Sequence, residues 1–515
     1  MNGAESLIRS FVQAGVDVCF ANPGTSEMHL VQAIDAVPEM RAVLALFEGV
    51  CTGAADGYGR MRGTPAATLL HLGPGLGNGI ANLHNARRAG TPVINLIGNH
   101  TLEHVAYDAP LTSDIDTLAR NVSSWIKSDS TASTLAADGM LALQAACTAK
   151  PGSQGQISTL IIPADACWDE TSGLAKALVS PSRTSVDDVI IKQVAEKIDA
   201  DSMILLNNDG LSIASRVAAS RIRQLTGCKV VLTTFPGRVD GGPGTPVFDR
   251  MPYFPEQVLA TLKDVSTLVL AGTEAPVSFF AYPEIPSLLV PETCEAMTLA
   301  AADENVTEAL ESLADFMNAP TSGLQSYEQN LPDLPVGKLN VMNTAVMIAR
   351  LLPENGILCG DSGGGGAVFG PVQETTANTW LNLTGGSIGQ GGPVAVGAAI
   401  ACPESRVVAL LGDGASMYTN QSFWTQAREG LDVTTVIFNN RRYGILETEY
   451  LRLGVNEIGE RAGAMFDLSR PFIDFVALAG SMGVPGRVAM NCEEFHAALA
   501  LSFSQSGPFV IEARV

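Results

Sequence analysis

Long apolar runs, paired cysteines and positive charge are all scarce in this sequence. No stretch approaches the roughly 20 apolar residues of a membrane-spanning helix, and the N-terminus shows no secretion signal. The nine cysteines are dispersed without a CxxC pair, which indicates reduced thiols rather than a disulfide framework. With 31 Lys and Arg against 53 Asp and Glu, the net charge of -22 argues against nucleic-acid or anionic-membrane partners. The expected location is the cytoplasm.

The sequence of 515 residues is too long for one hydrophobic core. Short apolar runs alternate with helical patterns, which predicts an α/β protein. We expect three domains at 1–168, 183–320 and 338–515, each a mostly parallel sheet flanked by helices. Looser linkers are predicted near 167–185 and 318–338. In the middle block, the predicted strands are SMILLNND, KVVLTTFP, STLVLAG and PSLLVP.

Polar motifs stand at the ends of two apolar strands in the third block. VVALLGDG ends in a GDG, and about two dozen residues further on TTVIFNN ends in Asn440. Asp413 and Asn440 offer the hard oxygens that suit Mg²⁺, and the glycines and a following helix suit a diphosphate. Taken separately, GDG is also an ordinary turn and NN an ordinary loop signal. The candidate cofactor contacts here are Gly412, Asp413, Gly414, Ala415 and Ser416.

Jointly, the two motifs resemble the diphosphate-binding signature of thiamine-diphosphate enzymes. From end to end the chain is similar to the superfamily of acetolactate synthase, pyruvate oxidase and benzoylformate decarboxylase. The resemblance implies a pyrimidine-binding domain, a middle domain and a diphosphate-binding domain, in that order. It also implies bound thiamine diphosphate and Mg²⁺, with Asp413, Asn440 and the backbone carbonyl of Arg442 as metal ligands.

A single glutamate, Glu48, ends the apolar run LALFE and precedes a helix of small residues. The resemblance implies that Glu48 hydrogen-bonds the pyrimidine ring of the cofactor and promotes loss of the C2 proton. A carboxylate is costly to bury unless it is protonated or paired, which favours a functional role. The alternative is a helix N-cap or a first-turn acid.

The segment LTGGSIGQGG resembles the turn with which the family shapes its cofactor. Ile388 matches the large apolar residue beneath the bent cofactor. Gly386 matches the residue whose carbonyl accepts a hydrogen bond from the pyrimidine amino group. A glycine-rich loop with one isoleucine is also commonly plain packing.

The stretch AATLLHLGPGLGN is similar to the family loop that borders the reacting carbon. Benzoylformate decarboxylases carry a histidine at the position of His71, so we expect proton transfer there near neutral pH. Asn78 is a candidate cofactor contact. Ser26 matches a serine that bonds the substrate carboxylate, and it is equally suited to cap a helix. His100 and His104 are expected in a loop, with the site entrance as the alternative.

The sequence departs from these relatives in the middle domain and at the C-terminus. Ala281 replaces the second histidine of the decarboxylase, and Phe279, Phe280 and Tyr282 form either an aromatic wall or plain core. No GxGxxG opens a helix in the middle block and no C-terminal lid follows FVIEARV, so FAD is not expected. Four consecutive glycines in GDSGGGG indicate an open pocket wall or a flexible loop.

The resemblance implies a lyase or transferase that acts as a 2-oxo acid decarboxylase or carboligase. In the implied reaction, a C2-carbanion/enamine intermediate is protonated or adds to a second carbonyl after loss of CO₂. The alternatives are acetolactate synthase-like carboligation of pyruvate, cleavage of a 2-hydroxyacyl thioester, and a non-catalytic cofactor-binding homologue. The resemblance implies that Glu48 of one subunit meets Asp413 and Asn440 of another, so we expect at least a homodimer and, in the assembly, a homotetramer.

Overall fold

A computed structural model describes all 515 residues of the chain. Three sheets follow one another along the sequence, each dominated by parallel pairing and flanked by helices. The predicted fold class is therefore confirmed. The helices are all too short or too polar to cross a lipid bilayer.

The first sheet contains β1 (Val18–Asn22), β2 (Arg41–Leu44), β3 (Ala67–His71), β4 (Val93–Asn99), β5 (Trp125–Lys127) and β6 (Ile157–Pro163). All its strands are parallel, in the order β2-β1-β3-β4-β6-β5. Its helices are α1 (Gly3–Gln13), α2 (Met28–Asp35), α3 (Glu48–Arg62), α4 (Leu72–Ala89), α5 (Leu102–Val105), α6 (Ile115–Arg120), α7 (Leu135–Cys147) and α8 (Ala164–Trp168).

The middle region contributes β7 (Ser202–Leu206), β8 (Lys229–Leu232), β9 (Arg238–Gly241), β10 (Asp249–Arg250), β11 (Thr267–Ala271) and β12 (Glu295–Ala300). Its helices are α9 (Asp188–Lys197), α10 (Ile213–Thr226), α11 (Pro255–Leu262) and α12 (Val306–Phe316). Five of the strands form a parallel sheet in the order β10-β8-β7-β11-β12. Short 3₁₀ helices occur at Thr25–Glu27 and Asn208–Leu211.

The third region has the strands β13 (Gly356–Asp361), β14 (Asn378–Leu381), β15 (Val407–Gly412), β16 (Val433–Asn439), β17 (Gly486–Ala489) and β18 (Phe509–Arg514). Its helices are α13 (Val341–Leu351), α14 (Gly363–Gly366), α15 (Phe369–Val372), α16 (Gly391–Ala401), α17 (Asp413–Ser416), α18 (Gln421–Glu429), α19 (Gly444–Leu451), α20 (Glu460–Phe466), α21 (Phe475–Ser481) and α22 (Cys492–Ser504). The sheet order is β17-β18-β16-β15-β13-β14-β9.

The last strand of this third sheet comes from the middle region. β9 pairs antiparallel with β14, so that Val239 lies opposite Trp380. It is the one antiparallel pair in the sheet. The middle region is thus joined to the third through backbone hydrogen bonds, although 1–168, 183–320 and 338–515 remain our proposed domain boundaries.

One predicted strand of the middle region is wrong. PSLLVP forms no strand; within it, Leu288 makes only an isolated bridge to Val277, and the strand beside β11 is β12, a few residues later. Prolines at both ends of PSLLVP explain the difference, because a proline has no amide hydrogen to donate to a sheet.

Helices α3 and α16 pack tightly and join the first region to the third. Small residues make this close approach possible. A Cβ on Gly397 would lie 1.9 Å from the carbonyl oxygen of Ala54, and one on Gly57 would lie 2.1 Å from that of Val394. Both helices are almost entirely buried. This contact fixes Glu48, the first residue of α3, relative to the loop that precedes α16.

Candidate functional site

The ends of β1 and β3 bring His71 against two residues of the 3₁₀ turn that follows β1. The Nδ1 atom of His71 lies 2.8 Å from Oε2 of Glu27 and 3.1 Å from Oγ of Ser26. The Ser26 hydroxyl donates to the other Glu27 oxygen at 2.5 Å. The structure therefore brings two candidate catalytic residues, Ser26 and His71, into contact.

Glu27 orients the imidazole of His71. Its side chain is fully buried, and its Oε2 also accepts a hydrogen bond from the Gly24 amide at 2.8 Å. Because a carboxylate can only accept, the hydrogen of this contact belongs to His71 Nδ1. The other ring nitrogen, Nε2, is then an acceptor that can take up and release a proton.

The contacts of Ser26 change its expected role. Its hydroxyl hydrogen is directed to Glu27, so it is not free for a substrate carboxylate. The N-cap alternative is wrong, because Gly24 precedes the 3₁₀ turn and Glu27 precedes α2. Thr25, beside it, is exposed and its hydroxyl makes no hydrogen bond within the chain. Thr25 is therefore a hydroxyl on this wall that a ligand can reach.

A cavity of about 630 Å³ opens beside these residues. Leu72, Leu111 and Trp168 give it an apolar wall. Nε2 of His100 and Oδ1 of Asp165 are buried without a hydrogen-bond partner, and both residues line the cavity. The walls therefore offer an occupant apolar surface, with two unpaired polar atoms buried in the residues that form them. His104, whose ring is tilted against that of His100 with the centroids 5.1 Å apart, lines it as well.

The turn from β3 into α4 is strained next to His71. Leu72 has a φ of +47°, in the left-handed region that residues other than glycine rarely adopt. Its side chain is fully buried, so packing holds the conformation. Such strain is common at functional sites, and here it fixes the direction in which His71 leaves the strand.

Glu48 is the first residue of α3 and is only 7% exposed. Asn78, on α4, donates from Nδ2 to Glu48 Oε2 at 2.9 Å. Oε1 points toward the backbone of Gly75, where an added Cβ would lie 3.2 Å away. Glu48 is thus a first-turn acid, as the alternative held, and also a buried carboxylate with one oxygen still available to a ligand.

Asp413 lies where β15 ends and is 5% exposed. Its Oδ1 accepts from the Gly414 amide at 2.8 Å, and its Oδ2 accepts from the Arg441 amide at 2.6 Å. Burial raises the pKa of Asp413, although these amide hydrogen bonds oppose the shift. The helix expected near Ala415 and Ser416 begins at Asp413 itself and ends at Ser416.

The loop after β16 lies against Asp413 and turns at Arg441, whose φ is +60°. The side-chain oxygen of Asn440 accepts from the Arg442 amide at 3.1 Å and is otherwise open to solvent. The carbonyl oxygen of Arg442 accepts no hydrogen bond. A carboxylate, an amide oxygen and an unpaired carbonyl therefore stand on adjacent loops at one edge of the sheet.

This donor set fits a magnesium–diphosphate group. All three donors are oxygens, which Mg²⁺ prefers, and the ion ordinarily takes its remaining ligands from phosphate and water. The chain offers no cluster of three His, Cys, Asp or Glu side chains that could hold a metal by themselves. A cation in this place would complete its ligand set with phosphate oxygens or water.

The loop between β14 and α16 carries Gly386 and Ile388. Gly386 has a φ of +74° and lies against the Phe279 ring, 2.7 Å from where a Cβ would be. Ile388 is half-buried. Phe279 and Phe280 are 41% and 53% exposed, which identifies them as a wall rather than core. The middle region thus reaches the predicted cofactor loop with the Phe279 ring.

The stretch GDSGGGG is more ordered than expected. Its glycines form the helical turn α14, with the Ser362 hydroxyl accepting from the Gly365 amide. Asp361, at the end of β13, is 1% exposed. Its Oδ2 accepts from the amides of Gly389 and Gly391, each at 2.9 Å.

The candidate residues fall into two groups that are not linked to each other by hydrogen bonds or ion pairs within one chain. Glu48, Asn78, Ser26 and His71 belong to the first region, whereas Asp413 belongs to the third. No hydrogen bond or ion pair connects Glu48 with Asp413. Their meeting across two subunits remains a proposal.

Three residues of the site region were not among the predicted ones. They are Thr25, Glu27 and Asp361. Glu27 was visible only as an acid near a helix start, and Asp361 only as part of a glycine-rich turn. The importance of Glu27 and Asp361 comes from contacts with residues far away in the sequence, and that of Thr25 comes from its exposure beside the cavity.

Together, the fold and these two groups define a three-domain α/β enzyme with polar sites at the carboxyl ends of parallel strands. Residues 1–120 match the protein-family model described as "Thiamine pyrophosphate enzyme, N-terminal TPP binding domain". Residues 361–513 match "Thiamine pyrophosphate enzyme, C-terminal TPP binding domain". The chain belongs to the thiamine pyrophosphate enzyme family, whose cofactor is also called thiamine diphosphate.

Its relatives include both reaction types suggested by the sequence. A Mycobacterium tuberculosis protein named "Putative acetolactate synthase large subunit IlvX" is 47% identical over 519 residues, covering 100% of this chain and 99% of that protein. Benzoylformate decarboxylase of Pseudomonas aeruginosa is 24% identical, covering 97% and 96%. The structure of a Rhodococcus jostii RHA1 thiamine diphosphate-dependent 4-hydroxybenzoylformate decarboxylase superposes with a TM-score of 0.85 at 22% identity, covering 100% and 99%.

Proposed function

We propose that this chain is a thiamine-diphosphate- and Mg²⁺-dependent enzyme that decarboxylates a 2-oxo acid. The observation that carries the proposal is the contact of His71 with Glu27 beside a cavity of about 630 Å³. It presents an oriented imidazole nitrogen where a small molecule has room. An oriented histidine is the usual group for moving a proton near neutral pH.

The carboxylate and the cofactor loop have complementary tasks. When bound, thiamine diphosphate supplies the nucleophilic carbon that adds to the substrate carbonyl and accepts the electron pair left by CO₂. Glu48, oriented by Asn78, bonds the pyrimidine ring. The loop bearing Gly386 and Ile388 would also contact the cofactor.

The third region is proposed to hold the charged end of the cofactor. Asp413, the side chain of Asn440 and the carbonyl of Arg442 would hold Mg²⁺. The backbone around Asp413 lines the diphosphate, through Gly412, Gly414, Ala415 and Ser416.

Proton transfer is assigned to the first region. His71 delivers or removes a proton at Nε2, while Glu27 keeps the Nδ1 hydrogen in place. Ser26 supports Glu27 through its hydrogen bond and acts through it. The Thr25 hydroxyl takes the substrate contact first expected of Ser26. A homodimer, and in the full assembly a homotetramer, completes the site in this proposal.

Carboligation is the second candidate function. The relative that is 47% identical carries an acetolactate synthase name, and the first half of that reaction is the same. The two functions differ only in whether a proton or a second carbonyl meets the decarboxylated intermediate. The presence of His71 favours addition of a proton, and therefore the decarboxylase. The relative's name favours addition to a second carbonyl, and therefore the carboligase.

The test is CO₂ release with product analysis by mass spectrometry. Purified protein with thiamine diphosphate and Mg²⁺ is given pyruvate, benzoylformate or branched 2-oxo acids, each with and without an aldehyde. Glu48→Gln is expected to lower turnover by at least about 100-fold, on the scale of lost acid–base assistance. The exposed Glu311→Gln is the matched control and is expected to leave turnover unchanged.

The products decide between the candidates. Aldehyde formation supports the decarboxylase, and a ligated product supports the carboligase. If cofactor binds but no 2-oxo acid releases CO₂, decarboxylation is wrong and cleavage of a 2-hydroxyacyl thioester becomes the better proposal. Absence of C2 proton exchange in the bound cofactor would identify a non-catalytic homologue.

A further inference from the structure

Asp361 is a buried carboxylate without a charged partner. The elements that pack against it are β14, β15, α14 and α16, and none of them contains a titratable side chain. The remaining titratable group on its own strand is the Cys359 thiol, whose pKa burial raises far above its usual range. The environment of Asp361 therefore consists of apolar side chains and backbone amides.

The hydrogen bonds of Asp361 are confined to one loop. Oδ2 accepts from the amides of Gly389 and Gly391, so it joins the end of β13 to the chain that enters α16. Oδ1 is buried and has no hydrogen-bond partner. Of the proposed cofactor contacts, Ile388 immediately precedes the Gly389 amide and Gly386 lies three residues before it.

We propose that Asp361 is one of the positioning residues that hold loop 386–391 in its cofactor-binding shape, and that the loop loosens when this carboxylate takes up a proton. The inference rests on the proposed function for the role of the loop, but not for the contact itself. Asp361 acts through the loop and does not touch the reacting atoms.

Ionisation strengthens the contact for two physical reasons. A hydrogen bond to an ionised acceptor is roughly twice as strong as one to a neutral acceptor. A negative charge at the N-terminus of α16 also interacts favourably with the helix dipole. Protonation at Oδ1 removes both effects without breaking any existing bond, because that oxygen has no partner. The two amide contacts then weaken while their geometry persists.

Burial raises the pKa of Asp361 to about 7, against opposing hydrogen bonds from the amides of Gly391, Gly389 and Gln390. The ionised fraction, and with it the hold on the loop, therefore increases between pH 6 and pH 8. The stability effect has the opposite sign. Because the pKa is higher in the folded chain, Asp361 makes the protein less stable as pH rises from about 4 to about 7.

The first experiment measures thiamine diphosphate affinity at saturating Mg²⁺ between pH 6 and pH 8, by calorimetry. Asp361→Asn mimics the neutral state and is compared with the wild type. The control is Asp138→Asn, a buried carboxylate that bonds Ser130 and lies outside the site. The ionisation of the cofactor affects all three proteins equally. The ratio of a variant's affinity to that of the wild type at each pH therefore reports the effect of the substituted residue alone.

We expect the wild type to bind thiamine diphosphate more tightly than Asp361→Asn at pH 8. The ratio of the two affinities should fall roughly tenfold by pH 6, which is one unit below the pKa of Asp361. Asp138→Asn should follow the wild type. Parallel pH profiles for the wild type and Asp361→Asn would overturn the proposal.

A second measurement needs neither the variant nor the cofactor. Amide hydrogen exchange in wild-type loop 386–391, corrected for its intrinsic pH dependence, should show protection that rises severalfold from pH 6 to pH 8. Unchanged protection contradicts the positioning role. If cofactor binds to none of the proteins, the proposed function fails, whereas the exchange result still decides the role of Asp361.

Discussion

Glu27 and His71 are 44 residues apart in the sequence and meet because β1 and β3 are neighbours in the first sheet. The contact decides which ring nitrogen carries the hydrogen. Without Glu27, either nitrogen could hold it, and the ring could turn. A fully buried acid thus gives a partly exposed histidine one direction and one tautomer.

The first prediction concerns this pair. Glu27→Gln keeps the size of the side chain but can present a donor to His71 Nδ1, which favours the opposite tautomer. We expect kcat to fall by about 100-fold, within the range of acid–base contributions, with a smaller change in KM. Steady-state kinetics and nitrogen NMR of the His71 ring are the measurements.

Glu39→Gln is the matched control, since Glu39 is exposed and lies outside this cavity. It should leave both kcat and the tautomer unchanged. An unaltered tautomer in Glu27→Gln would show that Glu27 does not orient the ring.

At the residue scale, local motifs predicted which residues lie at strand ends, but they did not predict which distant residues their side chains contact. Glu48 and Asp413 stand at the ends of apolar strands, which sequence alone reveals. Glu27 and Asp361 act on residues that only the strand order brings near them. A linear pattern contains no information about which acid faces which histidine or loop.

Helices α3 and α16 show how small residues set the spacing between elements. Most of their facing positions are glycine or alanine, so the backbones touch. This close packing fixes Glu48, at the start of α3, and the cofactor loop, at the start of α16, relative to each other. Such tight packing also leaves no room for even one added methyl group.

The second prediction tests this contact. Gly397→Ala would place a methyl group 1.9 Å from a carbonyl oxygen of α3, and we expect it to lower the free energy of unfolding by about 1–3 kcal/mol or more. Gly480→Ala is the matched helical control, because nothing lies within 4 Å of its added Cβ. It should raise stability by about 0.5–1 kcal/mol, since alanine favours a helix over glycine. Urea denaturation measures both, and equal effects would contradict the close-packing argument.

At the element scale, the sequence located buried parallel strands because they are continuous apolar runs. It failed at β12 (EAMTLA), which contains an acid and a threonine, and chose the more apolar PSLLVP instead. The prolines there, at positions 286 and 291, favour an irregular backbone. Composition predicted burial, but hydrogen bonding decided which segment became the strand.

Arg60 links the three regions of the whole molecule. Its side chain, in the first region, forms a buried ion pair with Asp56. It also donates to the carbonyl of Gly237 in the middle region and to that of Asn382 in the third, at 3.2 and 2.6 Å. One guanidinium therefore satisfies acceptors from all three parts of the chain.

The third prediction removes this link. Arg60→Met leaves the Asp56 charge buried without its cation, which should cost about 3–5 kcal/mol. Because the lost contacts also join the regions, we expect the calorimetric unfolding transition to broaden or split. The exposed neighbour Arg62→Met is the control and should unfold as the wild type does. A sharp single transition at a lower temperature would show that Arg60 stabilises the chain without coupling its parts.

The pairing of β9 with β14 limits how the chain can be divided. A fragment beginning at residue 338 would retain every strand of the third sheet except β9 and would expose the whole edge of β14. An uncovered edge recruits strands from other molecules, so the fragment should self-associate rather than remain dispersed. The diphosphate-binding part of this enzyme is thus not a transferable module, and any fusion or domain exchange has to carry residues 238–241 with it.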